Sequence, residues 1–204
     1  WRVPCMLCFN ASSRASGVCF VSVFTQQILT NSFLLFYCRV LSDRIERIFK
    51  FHPQKMKERA KNSTGMTLIH GDPNPSNILS PNNPNGKTYI IDRQPFKWSL
   101  THWLGVYDIA YMIVPFWSVN DRRTLEKDMI QHYHQSLVKF GVKDYSFENC
   151  LEDYKLCIAH GIYTAIEWGT DEKSIIDMRW LWQIQLKRSL IAFTDWKCDE
   201  LLKT

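Results

Sequence analysis

The stretch Leu68-Ile-His-Gly-Asp-Pro-Asn-Pro-Ser-Asn-Ile-Leu79, followed after a turn by Tyr89-Ile-Ile-Asp92, decides how this chain is read. Two short apolar runs flank a polar loop that holds His70, Asp72 and Asn77, and a third apolar run ends on Asp92. Residues 66–69 read as a strand, 70–76 as a loop and 77–80 as a second strand. Pro81-Asn-Asn-Pro-Asn-Gly86 is a turn, and 87–91 a third strand. A small β-hairpin is therefore expected to set Asn77 and Asp92 at neighbouring strand ends.

These side chains suit one kind of chemistry. Metal-assisted phosphoryl transfer needs a carboxylate beside the attacking hydroxyl, and an amide oxygen and a second carboxylate to hold Mg²⁺.

Composition bounds the rest. At 204 residues, 46% of them apolar and 14% aromatic, the chain is expected to form one globular domain, or one with a loose extension. Of the formal charge of +5, residues 1–40 contribute Arg2, Arg14 and Arg39 with no acidic residue, so 41–204 are close to neutral. The basic run at 55–61 reads as a solvated helix face, and no nucleic-acid footprint is expected. The segment 18–40 is apolar in patches but interrupted by Ser22, Thr25, Gln26, Gln27, Thr30, Asn31 and Ser32, so neither a membrane span nor a signal peptide is expected. Cys5-Met-Leu-Cys8 has no second pair at zinc-finger spacing, and the odd, scattered set of seven cysteines fits a reducing compartment. A cytoplasmic location is the expectation.

Along the chain, residues 1–40 read as an atypical segment that is not native to the domain or is poorly ordered, with an apolar helix over 27–41. Ser42 is expected to cap a helix to 51, with Ile45, Ile48 and Phe49 on one face. Pro53 is expected to break it and open a second helix to about 62. From 105 onward the pattern is helical. One helix covers 106–117 and ends near Pro115. The next is capped by Asn120 or Asp121 and runs to 140, with Leu125, Met129, Tyr133 and Leu137 as its stripe. A third, 147–168, is capped by Ser146 and striped by Leu151, Tyr154, Ile158, Ile162 and Ala165. The last, capped by Asp171, runs to about 195 and is expected to be largely buried, with Trp180 and Trp182 in the core.

The ordered set His70-Gly-Asp-x-x-x-x-Asn77-Ile-Leu, Ile90-Ile-Asp92 and Gly105-x-x-Asp108-Ile-Ala resembles the aminoglycoside phosphotransferase/choline kinase-like superfamily, the small-molecule branch of the protein-kinase-like fold. The resemblance covers roughly residues 42–200. It implies an α+β, mainly α fold: the C-terminal lobe of a kinase-like protein, spanning 41–204, with a small β-hairpin at the catalytic loop and a helical bundle. It implies that Asp72 is the catalytic carboxylate for the acceptor hydroxyl, that Asn77 and Asp92 hold Mg²⁺, and that ATP is the co-substrate. It also implies that His70 fixes the loop and that Asp108 is the buried acceptor of hydrogen bonds from it.

Three features depart from that pattern. The eight glycines form no G-x-G and no G-x-x-x-x-G-K. The first lysine is Lys50, in a helical pattern, and Arg93 follows Asp92 where many relatives carry an aromatic. The chain therefore reads as a fragment without the nucleotide-covering lobe. Two functions stay open: an ATP/Mg²⁺-dependent phosphotransferase of a small-molecule hydroxyl, or a catalytically inactive truncated domain acting as a binding module. A metal-dependent phosphohydrolase would need more His and Asp ligands at short spacing. Phe96, Trp98 and Trp103 after Asp92, and Glu167, Trp168, Asp171 and Glu172, are candidates for the acceptor side, where they would suit a cationic molecule. A buried aromatic core is the stronger expectation there. His132 and His134 read as surface or core histidines.

Overall fold

The computed structural model describes residues 32–93, 100–170 and 174–202. Its first element, α1, is a single helix from Ser32 to Arg59 with Pro53 inside it. No cap falls at Ser42, and no break at Pro53, contrary to the sequence pattern. Proline removes one helical hydrogen bond and costs about 3 kcal/mol. The helix continues because it is anchored on both sides. Ile45 and Ile48 before the proline and Met56 after it are buried, and the His52 ring bonds the Leu156 carbonyl through Nε2 at 2.8 Å.

The end of α1 ties down the chain that leads to the loop. Arg59 forks onto Asp153, Nε to Oδ1 at 2.6 Å and Nη2 to Oδ2 at 2.7 Å, and donates to the Asn62 carbonyl at 2.7 Å. The Tyr145 hydroxyl donates to the same carboxylate at 2.8 Å. Lys55, Lys57 and Lys61 are solvated as expected, but Arg59 turns inward.

Two small antiparallel sheets follow. β1 (Met66–Ile69) pairs with β4 (Thr101–Leu104), Met66 opposite Leu104 and Ile69 opposite Thr101. β2 (Ile78–Leu79) and β3 (Tyr89–Ile90) form the expected hairpin. β4 was not expected, because its Thr-His-Trp-Leu run is too short and mixed to stand out. Trp103 accordingly belongs to a strand and is buried, and not to a loop on the acceptor side.

The helices are α2 (Val106–Ile113), α3 (Val119–Lys139), α4 (Phe147–Thr170), the single turn α5 (Ser174–Asp177) and α6 (Arg179–Asp195), with a 3₁₀ turn at Cys198–Leu202. The protein is thus mainly helical with a small β component, the α+β class expected. α4 lies at the centre and packs on α6, α2 and α1. Its Tyr154, Ile158, Ile162 and Ala165 are buried as the stripe predicted.

Two helices pack differently from expectation. α3 is capped by Ser118, whose Oγ accepts from the Asp121 amide at 3.1 Å. Its fully buried residues are Arg122, Glu126 and Ile130; of the expected stripe Leu125 is exposed, while Tyr133 and Leu137 pack against the core. Arg122 pairs with Glu126 at 2.5 Å and also with Asp195. A buried ion pair of this kind looks like a surface in a hydropathy pattern. The last helical region is split at Met178, and Ile176, Trp180 and Ile184 face outward while Trp182 and Leu186 are buried. Trp180 is therefore not core. The expected cap Asp171 lies outside the described residues.

His52, 1% exposed, carries a testable consequence. Burial lowers its pKa to about 4, against a partial rise from the Leu156 carbonyl. The unfolded chain takes up this proton near pH 6.5 and the folded chain refuses it until far lower, so stability is full above 6.5 and drops as pH falls toward 4. Urea unfolding should show a midpoint that declines over this window, with a smaller decline in His52→Gln. An equal decline in the variant would exclude His52 as the cause.

Candidate functional site

The loop between β1 and β2 is held from below by α2. Gly105 precedes α2 and lets it start close to β1: a Cβ there would lie 2.3 Å from the Tyr133 hydroxyl oxygen and 2.9 Å from Thr67 Cγ2. Asp108, in the first turn of α2, accepts the His70 amide on Oδ2 at 2.7 Å and the Gly71 amide on Oδ1 at 3.0 Å. Both carboxylate oxygens are thereby committed to loop backbone. Burial raises the Asp108 pKa, and the two loop amides pull against it. Gly71 adopts φ 88°, a left-handed conformation open to glycine at little cost.

His70 joins this loop to the hairpin. Its Nδ1 accepts the Asp72 amide at 3.3 Å. The proton is then on Nε2, which donates to the Ile91 carbonyl at 3.0 Å. The Ile91 amide in turn donates to the Asn77 carbonyl at 2.8 Å. Ile91 thus links His70 to Asn77, and the next residue is Asp92.

The Asp72 carboxylate is surrounded by donors. Asn74 Nδ2 reaches Oδ1 at 3.0 Å, and Asn77 Nδ2 reaches Oδ2 at 3.2 Å and the Asp72 carbonyl at 2.9 Å. Tyr111 of α2 is near enough to feel its charge. Burial first, and then the Asp72 charge, raise the Tyr111 pKa, so the phenol keeps its proton.

Asn77 is buried and closes the 3₁₀ turn Pro75–Asn77. Its amide nitrogen is spent on Asp72, which leaves Oδ1 as the atom able to ligate a cation. Asp92 is exposed and has φ 64°, a conformation uncommon outside glycine and asparagine-like residues and associated with functional sites. An amide oxygen and a carboxylate on adjacent strand ends are the hard donors that Mg²⁺ takes when phosphate and water complete its shell. The donor set fits that ion. Among the described residues no three His, Cys, Asp or Glu side chains converge on a metal site.

The structure therefore brings His70, Asp72, Asn77 and Asp108 into one bonded network, with Asp92 joined through Ile91. Sequence reasoning missed Asn74, which bonds the Asp72 carboxylate. On the expected acceptor side, Glu167 and Trp168 are exposed at the end of α4, and the Glu167 charge is felt at Tyr111. Phe96, Trp98, Asp171 and Glu172 lie outside the described residues. His132 is exposed and His134 Nε2 bonds the Tyr145 carbonyl at 2.8 Å, so both are structural or surface groups.

Asp108→Ala should free two loop amides and lower stability by about 2–3 kcal/mol. Hydrogen exchange at His70 and Gly71 should accelerate well beyond the rest of β1. Unchanged protection at those two amides would contradict the latch.

Among the described residues no helix is long and apolar enough to cross a membrane. A family model, described as the ecdysteroid kinase-like family, matches residues 22–144. The matched span begins within the segment read as atypical, and contains every residue from His70 to Asp108 used above. No curated protein and no solved structure matches the chain.

Proposed function

Because the chain belongs to the ecdysteroid kinase-like family, a branch of the protein-kinase-like superfamily, we propose that it transfers the γ-phosphoryl group of ATP to a hydroxyl of a small molecule. One observation carries the reading. Asn77 clasps Asp72 through both its carbonyl and its carboxylate, while the Asn77 carbonyl receives the Ile91 amide beside Asp92. A base for the acceptor and two cation donors are thus joined in one short network.

In this reading Asp72 orients the acceptor hydroxyl and takes its proton as the bond to phosphorus forms. Such transfers pass through a loose transition state, so the protein's contribution is positioning and charge neutralisation. Asn77 Oδ1 and the Asp92 carboxylate would hold Mg²⁺. The ion would supply neutralisation of the phosphate charge. His70 and Asp108 keep the loop in the one conformation that presents these groups together. The family's description names ecdysteroids, which are polyhydroxylated, so a hydroxyl acceptor fits that description. A lipophilic acceptor also suits the exposed Trp168, Ile176 and Trp180 better than the cationic molecule expected from the sequence.

Calorimetry of Mg·ATP binding, paired with a phosphoryl-transfer assay on a panel of steroid and amino-sugar alcohols, tests the proposal. Asp92→Ala should abolish Mg²⁺-dependent ATP binding. Asp72→Asn should keep that binding and lose on the order of 10³-fold in kcat. Retention of full turnover by Asp72→Asn would exclude its assigned role. Absence of Mg·ATP binding by the wild-type chain would favour the inactive, partner-binding reading.

A further inference from the structure

The segment Asp72-Pro-Asn-Pro-Ser-Asn77 places one asparagine between two prolines. Each proline fixes its own φ and restricts the residue before it to extended backbone. Asn74 accordingly has φ −67° and ψ 159°, and caps the 3₁₀ turn that ends on Asn77. Its Oδ1 accepts the Ser76 amide at 2.9 Å and the Ser76 hydroxyl at 2.5 Å. Its Nδ2 donates to Asp72 Oδ1 at 3.0 Å. We propose that Asn74 is a positioning residue, whose amide pins Oδ1 of Asp72 and leaves Oδ2 to meet the acceptor hydroxyl.

The orientation of this amide is not free. A backbone N–H can only donate, so the Ser76 amide requires an oxygen facing it. The NH₂ end must then face Asp72, whose carboxylate oxygens accept. Both ends of the side chain agree, on a backbone that proline stiffens on either side. Two donors on Oδ1 also polarise the amide and strengthen its donation to Asp72. The other donor to this carboxylate is placed differently. Asn77 divides its Nδ2 between the Asp72 carbonyl at 2.9 Å and Oδ2 at 3.2 Å, and its own oxygen is the one assigned to the cation. Oδ2 is thus the less firmly held oxygen. In the transfer it takes the acceptor proton as the acceptor oxygen bonds phosphorus and the bridging oxygen leaves with ADP. Holding Oδ1 matters because proton abstraction depends on geometry before acidity, and a misplacement of about 1 Å can cost 10²-fold in rate.

The inference rests on Asp72 being the acceptor-side carboxylate, and its test separates the contact from the activity. The Asn74 side-chain amide is identified in ¹⁵N spectra by its loss in Asn74→Asp. Asp72→Asn removes the charge this amide meets and should shift its resonance. The side-chain amide of Asn62, whose Oδ1 accepts the Thr64 amide at 2.9 Å, should stay in place. An unmoved Asn74 resonance overturns the proposal whether or not the chain turns over. In the transfer assay, Asn74→Ala removes both cap and donor. Asn74→Asp keeps the cap, since aspartate caps as well as asparagine, and turns an oxygen toward Asp72. Asn74→Ala should lose about tenfold in kcat and Asn74→Asp about 10²-fold, with KM for Mg·ATP within about threefold in both. A residue that only caps the turn would give the reverse order. Turnover by Asn74→Asp equal to or above that of Asn74→Ala therefore overturns the proposal. A wild-type chain without turnover would instead count against the phosphotransferase reading, and the resonance shift would still decide the contact.

Discussion

The Asp108 carboxylate is the constraint on which the rest of the site depends. One side chain accepts two consecutive amides, His70 and Gly71, and so fixes the chain direction as it leaves β1. Everything downstream inherits that direction. With His70 in place its ring can bridge the Asp72 amide and the Ile91 carbonyl, and with Asp72 in place Asn77 can close the turn onto it. Asp108 can serve because it sits at the start of α2, where amides and a carboxylate meet on partly buried ground. Burial raises its pKa while the amides lower it. The loop amides favour the carboxylate that burial disfavours, so loop and latch stabilise each other.

Around this network the helical scaffold is braced by buried ion pairs as well as by apolar packing. Arg59–Asp153 fastens α1 to α4 directly before β1. Arg122 joins α3 to α6 through Asp195 and pairs with Glu126 within α3, and Tyr154 of α4 donates to Glu126 at 3.0 Å. Pairs of this kind add little net stability over apolar residues of the same volume, but breaking one partner is costly. Their effect is to fix which helix faces meet. α2 is held in that frame, and so is Asp108, by which it meets the loop.

Much of this was legible in the sequence. The loop motif pointed to the superfamily, and that resemblance implied Asp108 as the acceptor of hydrogen bonds from the loop. The hairpin followed from the Pro-Asn-Asn-Pro-Asn-Gly turn, and α4 from its repeat of buried residues. What escaped had physical causes. Pro53 lies within a helix because tertiary anchoring at Ile48, His52 and Met56 outweighs a local penalty that sequence rules count alone. The start of the α3 face was misplaced, at Leu125, because Arg122 and Glu126 are buried as a pair, which hydropathy scores as solvent-facing; Tyr133 and Leu137 further along do pack on the core. β4 escaped because a four-residue strand gains its identity from β1 across the sheet.

The central claim is that Asn77 and Asp92 form the cation side of a phosphoryl-transfer site. Mn²⁺ substituted for Mg²⁺ in the presence of ATP tests it most directly, through paramagnetic broadening of assigned amide resonances. The account predicts ATP-dependent broadening centred on Asn77, Ile78 and Asp92, lost in Asp92→Ala. Broadening centred elsewhere, or indifferent to ATP and to that substitution, would contradict it.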